Sequence, residues 1–160
     1  MDLSTMIGAS DVRMSLETSI ANNVGLVRSV SDETRQKMSQ AVFDGLRNRA
    51  PADDVAKRIR EVSGMGRARA RRVAGDQLAK LTASLADERR RQAGMTEWEW
   101  LWSHKLHGRE EHIARDGKVY SDDPSQVGGK VNGKTINAPP NDRPAVLPYC
   151  GCRSRSVISL

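Results

Sequence analysis

The chain has 160 residues, of which 38% are hydrophobic and 29% charged, and its formal net charge is +6. No stretch reaches the roughly 18 consecutive apolar residues of a membrane span, and the amino-terminal segment lacks the basic start and apolar run of a signal peptide. We therefore expect a protein without a membrane segment, made in the cytoplasm, that folds as one compact unit or as a helical arm joined to a small head.

The first third of the chain carries the spacing of amphipathic helices. Ser31 precedes two acids and is a good helix start, because its hydroxyl can cap free amides. Pro51 and the acids after it open a further helix. The apolar faces of the three helices are Ile20, Val24 and Val27; Met38, Val42, Phe43 and Leu46; and Val55, Ile59 and Val62. We expect residues 1–15 to be disordered.

A longer helix is predicted from about Arg67 to Gln92. The segment 64–66, Gly-Met-Gly, separates it from the helix before it, and Gly94 ends it. Its inner face consists of residues at helical spacing: Ala70, Val73, Ala74, Gln77, Leu78, Leu81 and Leu85.

The excess positive charge of the chain lies in residues 57–72. Seven cations stand there against Glu61 alone, and this excess equals the +6 of the whole chain. The cations are Lys57, Arg58, Arg60, Arg67, Arg69, Arg71 and Arg72. The stretch lacks the Gly-Lys-Ser/Thr ending of a nucleotide phosphate loop. Two interpretations stay open: a surface that binds DNA or another polyanion through cations and glycine-rich backbone amides, and a solvated helix face opposite scattered acids.

A change of period after Gly94 predicts a small sheet. Trp98, Trp100 and Trp102 alternate with other residues, as in a strand that buries one face. The turn signal Asp116-Gly117 precedes a second short strand, and residues 121–148 are rich in loop-forming residues. Residues 153–160 alternate again, which predicts a strand that closes the sheet beside the tryptophan strand and returns the two cysteines to the segment of His112. We predict an α+β fold with a helical region over 1–93 and a mixed α/β domain over 94–160. This domain would hold a short antiparallel sheet, a short helix near His112 and a long loop over 121–148.

The histidines and cysteines permit a metal site. Cys150 and Cys152 are separated by one residue, which disfavours a disulfide between them. Two thiolates and an imidazole such as His112 would form ordinary zinc chemistry, although the spacing is not that of a recognised finger. Alternatively, His112 makes hydrogen bonds inside the fold and the thiols pack as small apolar groups. Structural zinc is the one cofactor that the sequence suggests.

Enzymatic chemistry finds little support in the motifs. Cys152, His112 and an acid would supply the residue types of a cysteine protease, but no nucleophile motif surrounds the cysteines. The chain also lacks paired acids or a His-Asn-His type signature of a metal-dependent nuclease. We predict no catalytic residue and no small-molecule substrate, and the alternative is a metal-dependent nuclease or a DNA-binding effector.

Several short motifs follow one another over residues 50–160. Residues 69–80 read RARRVAGDQLAK and are similar to the pattern R-A-x-x-I-A-R-D-Q-x-x-K. The tryptophan strand follows a glycine, and R-x-x-H, D-G-K and C-x-C-R come after it. The residues that carry these motifs are Asp76, Gln77, Trp98, Trp100, Arg109, His112, Asp116, Gly117, Cys150, Cys152 and Arg153. In this order and spacing, the motifs resemble those of the phage Mu F-like minor head proteins, a family of head morphogenesis proteins.

The resemblance implies a minor capsid protein of a tailed phage or prophage. Such a protein is made in the bacterial cytoplasm, becomes part of the virion, associates with the portal protein and the procapsid, and in some cases binds DNA. His112, Asp116, Gly117, Cys150 and Cys152 would then fix the carboxyl-terminal domain. A pure interaction adaptor without a nucleic-acid role stays open as well.

The chain departs from the family pattern at two kinds of position. Lys105 stands where many relatives carry an acid, and Gly151 replaces an arginine between the cysteines. Other members have a Cys-x-x-Cys at the positions of Arg109 and His112, which with the terminal pair would give four thiol ligands. A zinc site carried over from them would keep only part of its ligand set here.

Overall fold

The computed structural model describes residues 10–25, 27 and 30–158. It divides into an amino-terminal unit that ends at Leu81 and a carboxyl-terminal unit that begins at Thr82. The first is helical and the second contains the sheet, which confirms the α+β prediction. None of the helices in the described ranges has the length and apolar character needed to span a bilayer.

The described part of the amino-terminal unit consists of four helices, and the last of them continues past the unit boundary. They are α1 (Ser10–Gly25), α2 (Asp32–Arg47), α3 (Ala52–Ser63) and α4 (Arg67–Gln92). The Ser31 hydroxyl accepts a hydrogen bond from the Thr34 amide at 3.2 Å, and this cap fixes the start of α2 as the sequence predicts. The unit boundary falls inside α4, before the boundary between residues 93 and 94 that the sequence suggests. The last turns of α4 contact the sheet: the Arg90 guanidinium donates to Ser154 Oγ at 3.2 Å.

The core of the amino-terminal unit lies on the predicted helix faces. Its buried side chains include Ile20, Val24, Met38, Val42, Phe43, Val55, Ile59, Ala70, Val73, Ala74 and Leu81. Gly45 lets α2 and α3 approach closely, since a Cβ there would lie 2.3 Å from Val55 Cγ2. Helix α1 begins at Ser10, within the segment 1–15 that the sequence analysis expects to be disordered, and Leu16 on this helix is buried. The rest of that expectation lies outside the described residues.

The carboxyl-terminal unit holds five short strands and one short helix among its described residues. They are β1 (Glu97–Leu101), α5 (Glu110–Ile113), β2 (Val119–Ser121), β3 (Lys130–Val131), β4 (Lys134–Asn137) and β5 (Arg153–Ser156). The strand order is β3-β4-β2-β1-β5. Strand β1 pairs antiparallel with β2 and β5, which confirms that the final alternating segment lies beside the tryptophan strand. The expected antiparallel sheet is in fact mixed, because β4 joins parallel to β2.

The interval 121–148 contains more regular structure than the sequence analysis predicts. Strands β3 and β4 form a hairpin within it, and a 3-10 turn covers Pro124–Gln126. The hairpin turn is Asn132-Gly133, with φ values of 48° and 77°. Two positive φ values at an Asn-Gly pair are the signature of a type I′ turn, so the signal for this hairpin was present in the sequence.

Apolar side chains pack on both faces of the sheet. One face buries Trp98, Trp100, Tyr120, Cys150 and Cys152, with Trp102 and Leu147 packed against them. The other face buries Val119, Val131 and Ile136. The tryptophans therefore share one face, as their alternation predicts, although Trp102 follows the end of β1.

Candidate functional site

Four of the seven predicted cations line one cleft of the amino-terminal unit, which we name the basic cleft. Lys57 and Arg60 belong to α3, and Arg67 and Arg71 belong to α4. The chain reverses between these helices at Gly64, whose φ of 66° suits glycine. The cleft has a volume of about 380 Å³. The structure therefore gathers side chains that are up to 14 residues apart in the sequence.

Two acids reduce the positive charge of the basic cleft. Asp53 and Asp54 line it together with the four cations. Arg71 donates from Nε and Nη2 to the two carboxylate oxygens of Asp53, at 2.7 and 3.0 Å. Both acids precede residue 57, so a count of charge over 57–72 leaves them out. The pairing of Arg71 with Asp53 agrees in part with the interpretation in which the cations face acids. It leaves the other three cations of the cleft for an external anion.

The other three predicted cations do not line the basic cleft. Arg58 lines a second cleft with Asp44 and Glu61, Arg69 is half-buried, and Arg72 is exposed. The seven residues proposed from sequence as one binding surface are thus distributed around two helices.

The family-motif residues of α4 form a buried polar group. Lys80 Nζ lies 3.1 Å from Asp76 Oδ2, with side-chain exposures of 5% and 8%. Gln77 is also buried, and its Oε1 has no hydrogen-bond partner within the described part of the chain. These positions therefore act inside the fold and not at an exposed surface.

In the carboxyl-terminal unit, His112, Cys150 and Cys152 form what we name the thiol-imidazole cluster. His112 Nδ1 lies 3.2 Å from Cys150 Sγ and 3.6 Å from Cys152 Sγ. The three side chains are almost fully buried, at 2%, 5% and 1% exposure. The structure thus brings together the three residues that the sequence suggests as metal ligands, while His104 and His107 are exposed.

Three hydrogen bonds hold the segment that carries the cysteines. Arg109 Nη2 donates to Pro148 O at 3.2 Å, Lys105 Nζ to Tyr149 O at 2.6 Å, and Ser103 Oγ to Cys150 O at 3.1 Å. These bonds give Lys105 and Arg109 roles in positioning the segment.

Gly151 adopts a left-handed backbone conformation at the turn between the two cysteines. Its φ is 71°, and a Cβ there would lie 2.9 Å from Lys105 Cε and 3.2 Å from Ser103 Cβ. The glycine that departs from the family pattern is therefore suited to this chain's own geometry.

Asp142 completes the cluster and was missed by the sequence analysis. Its Oδ2 lies 3.1 Å from His112 Nε2, and its Oδ1 accepts from Arg115 Nη1 at 2.7 Å. The Arg115 guanidinium lies over the Trp100 ring, 5.1 Å from its centroid. Burial acts to raise the pKa of Asp142, but the hydrogen bonds with His112 and Arg115 outweigh it and hold this pKa below its usual range.

Three acids near the histidines, Asp116, Asp122 and Asp123, accept hydrogen bonds within the carboxyl-terminal unit. Asp116 Oδ1 accepts from the Trp102 amide at 2.9 Å, and the Gly117 amide donates to Trp100 O at 2.9 Å. Asp122 accepts from the Trp98 indole at 3.1 Å, and Asp123 accepts from the Ser125 amide at 2.9 Å. Arg153 is exposed at the start of β5 and pairs with Leu101 of β1. These contacts join β1 to the segments around it.

Glu99 is a second buried group that the sequence analysis did not identify. It lies on β1 at 7% exposure, accepts from Lys134 Nζ at 2.6 Å, and pairs with Arg155 of β5. Burial acts to raise its pKa, but the hydrogen bonds from Lys134 and Arg155 outweigh that effect and lower the pKa below its ordinary value. This ion pair fastens β5 and β4 to the central strand.

Cys150, His112 and Asp142 contact one another in turn, and they are of the residue types that serve as nucleophile, base and orienting group. Burial raises the pKa of the Cys152 thiol, and the neighbouring Cys150 raises it further, while the Ser103 amide and the Trp100 indole lower it by less. A thiol nucleophile needs an accessible sulfur, and both cysteines are buried. The arrangement therefore favours internal packing or metal ligation over covalent catalysis.

Comparisons with known proteins cover most of the chain. A family model described as Phage Mu protein F like protein matches residues 33–155. An uncharacterized protein of Haemophilus influenzae is 28% identical over 100 residues, which are 62% of this chain and 22% of that protein. The match thus spans about a fifth of that relative's length. No solved structure matches the chain significantly.

Proposed function

Because the chain belongs to the phage Mu protein F like family, we propose that it is a minor head protein of a tailed phage or prophage. The family suggests phage head morphogenesis, and the match over residues 33–155 is the observation that carries the proposal. In this role the protein is part of the virion, associates with the portal protein and the procapsid, and contacts packaged DNA.

The basic cleft supports contact with DNA. Lys57, Arg60 and Arg67 are exposed along it, and no carboxylate pairs with them among the described ion pairs. DNA presents a regular row of phosphates, and each cation that reaches one releases a condensed counterion. Contacts of this kind position a protein on DNA without reading its sequence, which suits a protein that meets packaged DNA of any sequence.

The carboxyl-terminal unit supports a structural part in this function. Its motif residues are buried or bonded within the unit: Trp98 and Trp100 in the core, Asp116 and Gly117 at the turn, and His112 in the cluster. Residues that join strands provide a rigid body. We propose that this unit is the part that docks on the portal or procapsid.

Binding to a labelled DNA duplex tests the first part of the proposal. The Arg60→Ala/Arg67→Ala variant should bind more weakly than the unchanged protein and respond less to salt. Lys37→Ala/Arg47→Ala is the matched control, because both cations are exposed on α2 outside the basic cleft. Equal losses in the two variants, or none in either, would remove DNA contact through this cleft.

Co-purification with a portal protein tests the second part. The two proteins should remain together at a salt concentration that abolishes DNA binding, since protein docking through apolar and hydrogen-bonded contacts is less sensitive to salt than counterion release. Separation of the pair at low salt, with both proteins folded, would contradict portal association.

A further inference from the structure

We propose that the thiol-imidazole cluster is a zinc site, in which Cys150, Cys152 and His112 bind one Zn²⁺. Two thiolates and an imidazole are a preferred ligand set for this ion. In the described residues, the ligand atoms of these three side chains all lie within 4.8 Å of one another. The inference rests on this geometry and stands apart from the proposed function.

The distances fit tetrahedral coordination. Zn–S bonds of about 2.3 Å and Zn–N bonds of about 2.0 Å at tetrahedral angles place a ligand nitrogen and a ligand sulfur about 3.5 Å apart. The separations from His112 Nδ1 are 3.2 Å to Cys150 Sγ and 3.6 Å to Cys152 Sγ. Both nitrogen–sulfur separations therefore match this geometry to within a few tenths of an ångström.

Asp142 orients the imidazole for this role. The Asp142 carboxylate, which Arg115 holds, faces His112 Nε2 and favours the proton on that nitrogen. The lone pair of Nδ1 is then directed at the two sulfurs. A hydrogen bond from a thiol to Nδ1 uses one sulfur. Both sulfurs lie within reach, and a metal ion engages both of them.

Charge balance also favours a metal in this buried place. Binding of Zn²⁺ displaces one proton from each thiol, so that two protons leave and the two thiolates neutralise the ion. The neutral imidazole adds no charge. Burial of this group therefore avoids the cost of an unpaired charge.

The chain supplies three ligands to this site among its described residues. Its sequence contains three histidines and two cysteines. His104 is exposed and its ring is tilted by 47° against that of Trp102, with centroids 4.5 Å apart, and His107 is exposed as well. The ion would tie the segment before β5 to α5 and close the carboxyl-terminal unit.

Metal titration of the full reduced chain tests the proposal. Protein stripped with a chelator should bind one equivalent of Zn²⁺, raise its melting temperature on binding, and show no response to Mg²⁺. Co²⁺ in place of zinc should give thiolate-to-metal charge-transfer bands and the visible bands of tetrahedral cobalt. Absence of bound metal and of any shift in melting temperature would overturn the site, whatever the variants do.

Variants then assign the ligands. Cys152→Ser and His112→Gln should each weaken zinc binding and alter the cobalt spectrum, whereas His107→Gln should leave both unchanged. Asp142→Asn should keep the spectrum and weaken zinc binding about 10- to 100-fold, as expected for loss of a carboxylate behind a ligating histidine. Zinc affinity that is unchanged in both His112→Gln and Asp142→Asn would place the ion on the cysteines alone and refute the three-residue site.

Discussion

Asp53→Asn should strengthen DNA binding, although most substitutions in a binding region weaken it. The Asp53 carboxylate holds Arg71 by two hydrogen bonds and lies in the basic cleft with three other cations. Loss of its charge releases Arg71 toward an external phosphate. Because the pair is exposed, at 55% and 69% for the two side chains, the substitution should change the unfolding free energy by less than about 1 kcal/mol.

The magnitude follows from the number of cations that reach phosphate. Each contact contributes about 0.9 to the slope of log affinity against log salt concentration, so three contacts give about −2.7 and four give about −3.6. At 0.1 M salt the added contact corresponds to roughly eightfold tighter binding. For Arg60→Ala/Arg67→Ala, one remaining contact gives a slope of about −0.9.

Fluorescence anisotropy of a labelled duplex over a series of salt concentrations measures both quantities. Far-ultraviolet circular dichroism checks that each variant keeps its helices. An Asp53→Asn protein that is folded but has the affinity and slope of the unchanged chain would refute the argument that Asp53 limits the basic cleft.

Three further predictions concern stability, measured by chemical denaturation. Glu99→Gln should lower the unfolding free energy by about 2 kcal/mol near neutral pH. Since folding lowers the pKa of Glu99, its stabilising contribution is present above the ordinary pKa and is lost as the pH falls through the pKa of the folded state. A stability difference that persists unchanged in acid would contradict this prediction. Gly151→Ala should cost about 1 to 2 kcal/mol because of its positive φ, about as much as Gly94→Ala at a φ of 67°, since the flexible end of Lys105 can move away from the added Cβ; no loss in either variant would contradict this reasoning. Lys80→Met should lower the unfolding free energy by about 3 kcal/mol, because it removes the ammonium beside buried Asp76, and adding Asp76→Leu should recover most of this loss. A double variant that recovers none of the loss would disprove this prediction.

Features with a local cause were predictable from the sequence. The cap at Ser31, the helix from Arg67 to Gln92 and the single face of the tryptophans each follow from the spacing of neighbouring residues, and the structure confirms them. The return of Cys150 and Cys152 to His112 was also expected, because alternation near the last residues indicated a strand beside β1.

Features that depend on distant residues were not predictable. Asp142 lies 30 residues from His112 in irregular chain, where no periodicity marks it. Asp53 on α3 pairs with Arg71 on α4, 18 residues later in the chain, and a count of charges over residues 57–72 does not include it. The β3–β4 hairpin differs from both, since its Asn132-Gly133 turn was visible but flanked by strands too short to show alternation.

The place of β5 in the sheet has a consequence for how the carboxyl-terminal unit folds. Strand β1 can pair early with β2, but its other edge waits for β5, which follows every other strand in the sequence. Pairings between distant segments form slowly, and an unpaired strand edge is a template for self-association. During that delay two molecules can join through the indole-bearing strand, so the yield of refolding should fall as protein concentration rises.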